Sequence, residues 1–549
     1  GAFLMKHPFL VALLLVTLRL SAQDASLPTW QAPPRLVVGI VVDQMRTDYI
    51  YRYWDNFGED GFKRLIKQGS FQRDAHFTYM PTFTGPGHAS IYTGTTPADH
   101  GIVSNDRFDP RSRRTVYCVE DTLVKGVGSA SPAAQRSPVQ LLSTTIADEL
   151  ELRFDGKART IGVALKDRSA VLPIGRMGDA AYWYIGGSEG KVVTSTWYHD
   201  ELPAWVQQFN ALALPEKYLK NTWSPLLPRE RYHTPLPDDS PYEVPLARGL
   251  RPTLPVNLDS LRRAGSGLEL LSYTPWGNTF TTDLALAAMD GEELGRDAIT
   301  DLLALSYSAP DILGHRVGPR SIEEEDMYIR LDQEIARLLK ALDERVGAGR
   351  YTVFLTADHG ASDVPQYLKD QKASAGYVDM QALAQEIWKS MPAQVSGGQL
   401  GTLENVMDGQ VHLSGSEAAL EQFARRLMEH PAVAVAVTRE QLQQGHPRNE
   451  LHRMLANGFM SQRCGDIVYA LRPGYIEAEG VPSGKGTTHG SGWNYDTHVP
   501  VIWYGQGVRS GEVLERTAIA DIAPTIAAIV GMALPDASVG RVVEGSVKR

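Results

Sequence analysis

RLVVGIVVD, residues 35–43, is an unbroken apolar run closed by an aspartate. It lacks the alternating polar positions of a sheet with one wet face. It therefore reads as a strand covered on both sides, the situation of a parallel strand inside an α/β sheet. A helix-like stretch follows at 61–68. The same kind of run returns as RTIGVAL (159–165), AITDLLALSYS (298–308), YTVFLTAD (351–358) and HVPVIWYG (498–505), with helical stretches at 139–153, 323–342 and 518–530 between them. This alternation predicts an α/β fold, a mostly parallel central sheet with helices on both faces. Ligands of such sheets gather at the carboxyl ends of the strands, where Asp43 stands.

Two stretches break the rhythm. Residues from about 180 to 290 are rich in Trp, Tyr and Pro and are expected to form an irregular lid. Residues from about 365 to 475 carry a small α/β pattern of their own (ENVMDGQVHL, SEAALEQFARRLMEH, AVAVAV, GDIVYALR) and are expected to form an inserted cap subdomain. The core then occupies 35–360 and resumes over 476–545.

The chain has 549 residues, 43% hydrophobic and 21% charged, the balance of a folded globular protein. That length suits a large core with insertions. Its 50 Gly and 33 Pro follow no repeat, which excludes collagen-like and low-complexity readings. A net charge of −10 argues against nucleic acid as a specific partner. It does not exclude a small anionic substrate, which answers to local cations and metals. Residues 5–22 have the pattern of a signal peptide: Met5, Lys6 and His7, then FLVALLLVTLRL (9–20), then Ser21 and Ala22. The apolar run is shorter than the ~20 residues of a membrane span. The expectation is a periplasmic or secreted protein, free of the membrane once the signal is removed, and monomeric. Cys118 and Cys464 are the two cysteines; in an exported protein they could pair. Neither lies in a C-x-P-x-R context, which removes the modified-cysteine nucleophile of sulfatase-like enzymes. A metal site would have to use Asp and His.

Such residues cluster at the predicted strand ends. Asp43 closes the first strand, Asp311 and His315 follow the strand of 298–308, Asp358 and His359 close that of 351–358, and His489 lies in the Gly-rich SGKGTTHGSGW (483–493). Carboxylate and imidazole ligands together suit zinc. Six are too many for one tetrahedral ion, whereas two ions ~3.5–4 Å apart would use them with a nucleophile oxygen. His498 competes with His489 for the last place, but it opens an apolar strand, where packing is the simpler role, while glycines around His489 allow close backbone approach to a metal. His88, at a helix start, reads as a structural partner.

A nucleophile is expected in PTFTGPGHASIYTG (81–94), where Thr84 stands at the start of a helix. Thr84 could simply cap that helix. The same position also suits attack on a phosphoryl group resting at helix N–H groups, if a metal activates the hydroxyl. Thr82 and Ser90 are competitors. Lys166 and Arg168 follow the strand of 159–165 two residues apart; in an extended chain they point the same way and offer an ammonium and a guanidinium fork to phosphate oxygens. Asn105, in GIVSNDRFD, could add an amide donor.

These segments together, VVDQMRTDY (41–49), MPTFTGPGHASIYTG (80–94), HGIVSNDRFD (100–109), ALKDRSA (164–170), SAPDILGHRVGP (308–319), TADHGA (356–361) and GTTHGS (486–491), resemble the alkaline phosphatase superfamily, and most closely the PafA-type periplasmic alkaline phosphatases. The resemblance runs in order from about 35 to about 540. It implies an α/β sheet with a cap and two zinc ions per chain. It implies Thr84 as a nucleophile that forms a phosphothreonine. It places Asp43, Asp358, His359 and Thr84 on one zinc, and Asp311, His315 and His489 on the other. Asn105, Lys166 and Arg168 would contact the phosphoryl oxygens. The implied substrates are small-molecule phosphate monoesters, because the Lys-x-Arg pair can stabilise the extra charged oxygen that a diester lacks. The alternative is a phosphodiesterase or nucleotide pyrophosphatase on the same scaffold, with Trp183, Trp197 or Trp205 stacking a base. A non-catalytic metal-binding domain would leave Thr84 and the Lys-x-Arg pair as coincidences.

Overall fold

The computed structural model describes residues 32–233, 236–480 and 483–548; the expected signal peptide at 5–22 lies outside the described residues. An eleven-stranded sheet forms the core. In chain order its strands are β1 (Leu36–Val42), β2 (Ser70–His76), β3 (Gly126–Val127), β4 (Thr160–Ala164), β5 (Ala180–Ile185), β6 (Lys191–Ser195), β7 (Asp301–Tyr307), β8 (Tyr351–Thr356), β9 (His498–Gly505), β10 (Gly511–Val513) and β11 (Thr517–Ala518). In space they run β10-β2-β9-β8-β1-β7-β4-β5-β6-β3, with β11 also on β2. Every residue of β1, β4, β7 and β8 is buried, as their apolar runs require. The five strands from β8 to β5 are parallel, which confirms the predicted α/β class.

Val41 of β1 pairs with Ser306 of β7 and Thr356 of β8, and Ser306 pairs with Ala164 of β4. Four carboxyl ends therefore lie side by side, and the segments that follow them share one edge of the sheet.

β9 runs antiparallel to both β8 and β2, not parallel like the other apolar runs. Burial on both faces makes a strand apolar whichever way it points, so the sequence carries no sign of direction there. The helix expected over 139–153 is confined to Ile146–Arg153, where Thr145 and Asp148 form a capping box. The one expected over 518–530 is a 3₁₀ turn, Ile519–Asp521, followed by the helix Ile522–Val530. Residues 180–290 are not an irregular lid at their ends. They begin with β5 and β6 of the central sheet and finish in the helix Pro275–Gly291, packed on β7. The Trp- and Tyr-rich AAYWYI is an apolar run like the others, buried until its last residue.

A second, five-stranded antiparallel sheet comprises Gln394–Val395, Gly398–Met407, Gln410–Gly415, Val433–Thr438 and Ile467–Leu471. With the helices Met380–Ser390 and Glu417–Met428 it encloses its own apolar cluster around Phe423, Leu427 and Tyr469. Cys118 and Cys464 are both buried and free, in different clusters. Among the described residues no helix is long and apolar enough to cross a membrane.

Candidate active site

The segments after β1, β4, β7 and β8 carry the expected side chains into one buried space. Asp43 directly follows β1, and Asp358 and His359 follow β8. Asp311 stands in the first turn of α3 (Ala309–Val317, numbered after α1, Thr84–Thr93, and α2, Asp167–Val171), and His315 lies one turn on along the same face. His489 arrives in the loop before β9. The carboxylates of Asp43 and Asp358 and the ring of His359 have no solvent exposure.

The distances bring these side chains into a single cluster. His359 Nε2 lies 3.3 Å from Asp43 Oδ1, 3.6 Å from Asp358 Oδ1 and 3.9 Å from Asp311 Oδ1. His315 Nε2 and His489 Nε2 lie 3.2 and 3.4 Å from Asp311 Oδ1. Within this cluster two groups of donor atoms are close enough to share an ion, Asp311, His315 and His489, and Asp43, Asp311 and His359; a third such group, Asp74, His76 and His498, is made of other residues. Asp358 stands beside the second group rather than in it. Its Oδ1 accepts the Gln44 backbone N–H at 3.2 Å and its Oδ2 lies 3.3 Å from His88 Nδ1.

The chemistry of this donor set fits metal ions. The buried oxygens Asp43 Oδ1 and Asp358 Oδ2 have no hydrogen-bond partner among the described residues. Each imidazole anchors its Nδ1 on a backbone carbonyl (His359 on Gly360, 2.9 Å; His315 on Thr487, 2.9 Å; His489 on Thr82, 2.8 Å), which turns Nε2 toward the carboxylates. That anchoring is what orients ligating histidines in metal centres. The rings of His359 and His489 stack with centroids 3.4 Å apart and planes 10° from parallel. Lone pairs of parallel rings point side by side instead of at one point, so this pair suits two neighbouring ions better than one.

Charge is balanced internally. Lys166 Nζ lies 2.7 Å from Asp43 Oδ2 and 2.5 Å from Asp311 Oδ2. Burial and Asp311 push Asp43 up, but Lys166 and His359 outweigh them and hold its carboxyl well below the usual range. Burial likewise works against Asp311, and His315 and Lys166 hold it well below. Burial and the neighbouring charge of Asp43 outweigh His359 and push Asp358 up. Burial alone would lower His359, yet Asp358 and Asp43 raise it to about 9. Burial and the charge of His359 bring His489 down to about 3.

Thr84 is the first residue of α1, and its side chain does not cap the helix. Its Oγ1 lies 3.4 Å from His359 Nε2 instead. The competing hydroxyls are engaged elsewhere: Thr82 donates to Ser491 O (2.8 Å) and Ser90 pairs with His100 Nε2 (2.8 Å). His88 is a structural partner, with Nδ1 2.9 Å from Thr84 O and Nε2 3.0 Å from Ser306 Oγ. His498 stacks on His76 at 4.6 Å, away from the cluster. Asn105 Oδ1 accepts the Gly85 N–H at 2.7 Å, in the first turn of α1.

Lys166 and Arg168 do not share an extended chain. Lys166 is the extended N-cap of α2, so the helix begins between them and their heads part. Arg168 donates to Tyr117 Oη at 3.0 Å while Lys166 reaches Asp43 and Asp311. Both still line one cleft of about 320 Å³ with Tyr117, Arg136 and Trp183. Trp183 is buried in β5, and its indole N–H is donated to Ala133 O.

Gln44 and Tyr117 escaped the sequence reading. Gln44 donates Nε2–H to Asp311 Oδ1 at 2.7 Å from a left-handed backbone, φ 70°. Tyr117 anchors Arg168. Neither has a local pattern to mark it.

The family profile described as type I phosphodiesterase / nucleotide pyrophosphatase matches residues 37–492. A Myroides odoratus protein named calcium-transporting ATPase is 38% identical over 527 residues, 94% of this chain and 95% of that one. Alkaline phosphatase PafA of Elizabethkingia meningoseptica is 37% identical over 521 residues, 92% and 93% of the two chains. The crystal structure of wild-type PafA superposes with a TM-score of 0.88 at 35% identity, covering 94% of this chain and 99% of that chain.

Proposed function

Since this chain belongs to the type I phosphodiesterase / nucleotide pyrophosphatase family and to the PafA-like alkaline phosphatases, we propose that it is an exported, zinc-dependent phosphatase. It hydrolyses small-molecule phosphate monoesters through a phosphothreonine at Thr84. The observation that carries this reading is the Thr84 hydroxyl, released from helix capping and set 3.4 Å from His359 inside the carboxylate–imidazole cluster. The same observation favours hydrolysis over the transport named for the Myroides protein.

Asp43, Asp358, His359 and Thr84 would hold one zinc and Asp311, His315 and His489 the other; the donor atoms of Asp311, His315 and His489, and those of Asp43 and His359, lie close enough together for this. Zinc held there would supply Lewis acidity to the Thr84 hydroxyl and to the departing oxygen. Thr84 Oγ1 attacks phosphorus in line with the ester oxygen, the bond to the alcohol breaks, and water then releases phosphate and restores Thr84. Asn105, held against Gly85 through its carbonyl, offers its amide N–H to a phosphoryl oxygen. Arg168 and Lys166 bind the remaining oxygens from their shared cleft.

The test is Thr84→Ala with metal content measured beside turnover. Activity on an aryl phosphate is expected to fall on the order of a thousandfold while zinc is retained. Near-parental rates would reject Thr84 as the nucleophile. The phosphodiesterase reading is favoured by the family profile; an aryl diester turned over faster than the aryl monoester would establish it.

A further inference from the structure

Phe83 and His489, whose rings meet edge to face at 5.3 Å, form one wall of a cavity of about 260 Å³. Phe459, Tyr469, Tyr475 and Leu455 supply much of the rest. Three carboxyls stand among these rings, Asp408, Glu477 and Asp496, and among the described residues no Lys or Arg lines the space.

Asp408 is at the tip of the hairpin between Gly398–Met407 and Gln410–Gly415, where it accepts Ser104 Oγ–H at 2.6 Å. Glu477 accepts Tyr469 Oη–H at 2.7 Å. Asp496 accepts the Ser491 N–H and Oγ–H on Oδ2, while Oδ1 has no partner among the described residues, in a residue 1% exposed. None of the three has an ion-pair partner among the described residues. Carboxyls in an apolar space stay ionised only at a large desolvation penalty unless a cation meets them. Burial accordingly pushes Asp408 up to about 6 and Glu477 to about 7.

We propose that this cavity binds a small organic ammonium ion with an aromatic or alkyl body. Asp408 and Glu477 accept the ammonium N–H donors, and the aromatic walls enclose the body and favour the charge through their faces. The size agrees: a dry cavity of about 150 Å³ admits benzene, so this one has room for a benzene-sized body with a short ammonium arm. The proposal does not depend on the phosphatase reading, since no ligand or nucleophile of that reaction takes part except His489 as wall.

Calorimetry on the full zinc-loaded chain near neutral pH would compare benzylammonium with its neutral isostere benzyl alcohol. Benzylammonium is expected to bind one to one and about tenfold or more tighter. The double variant Asp408→Asn/Glu477→Gln is expected to erase the preference while benzyl alcohol binds as in the parent. Equal affinities in the parent, no binding of either compound, or a preference that survives the double variant would overturn the assignment. Crystals of the parent soaked with a bromo-substituted benzylammonium give a second readout independent of variants. An anomalous peak in this cavity supports the site, and a peak only elsewhere, or none, refutes it.

Discussion

Lys166 is the residue on which charge balance and the proposed specificity meet. Two carboxylates share its ammonium, so removing it leaves Asp43 and Asp311 facing each other in a buried space. Breaking a buried pair by deleting one partner is strongly destabilising, because the remaining charge is uncompensated. Metal ions on the same carboxylates would supply that compensation. Lys166→Ala is therefore expected to lower the melting temperature of the metal-free protein clearly, and that of the zinc-loaded protein much less; equal losses would show that the ions do not share these carboxylates. Catalysis gives a second measure. A monoester carries an extra charged oxygen for Lys166 to stabilise, so kcat/KM on an aryl monoester should fall about a hundredfold, against tenfold or less on the matching diester. A variant that harms both equally removes the reason for assigning monoesters.

At the scale of elements, the placement of Thr84 depends on how closely α1 approaches the end of β8. All ten residues of α1 are buried. A Cβ at Gly87 would stand 2.3 Å from the backbone oxygen of Asp358, so only glycine lets the helix lie against that loop. Thr84 is one turn earlier on the same helix and would move with it. Gly87→Ala is expected to destabilise the fold by roughly 1–3 kcal/mol. It should also cut kcat/KM tenfold or more, because shifts near 1 Å in reacting groups are costly in rate. Unfolding midpoints and rates on the folded variant check both; parental activity would show that the helix can shift without carrying the hydroxyl away. The second sheet adds to this placement through Asp408, whose hydrogen bond to Ser104 fastens the loop that carries Asn105 to α1.

For the whole molecule, local pattern was legible and cross-chain geometry was not. Asp43, Asp358 and His359 were readable because each closes an apolar run, and Asp311 with His315 because a helix places them one turn apart. Thr84 was readable as a helix start. The direction of β9 was not, since burial on both faces leaves the same composition either way. Nor was the parting of Lys166 and Arg168, which follows from α2 starting at Asp167, or Gln44, whose partners come from two other strand ends. Burial of like charges is equally silent in sequence. EEED at 323–326 reads as an acidic first turn favoured by the helix dipole, yet Glu323 and Glu324 are buried there. Burial, with Glu323 and Asp238 beside it, pushes Glu243 up to about 11, so it keeps its proton at neutral pH. Burial pushes Glu323 from its usual 4.5 up to about 8. Between those two values the folded chain holds a proton that the unfolded chain has lost, so stability falls as pH rises through that window. Glu323→Gln removes the titrating group and should flatten this part of the profile. Its melting temperature is expected to gain on the parent from about pH 5 to about pH 9, by an amount corresponding to on the order of 1–3 kcal/mol. A difference between the two proteins that stays constant across that range would mean that Glu323 is ionised throughout.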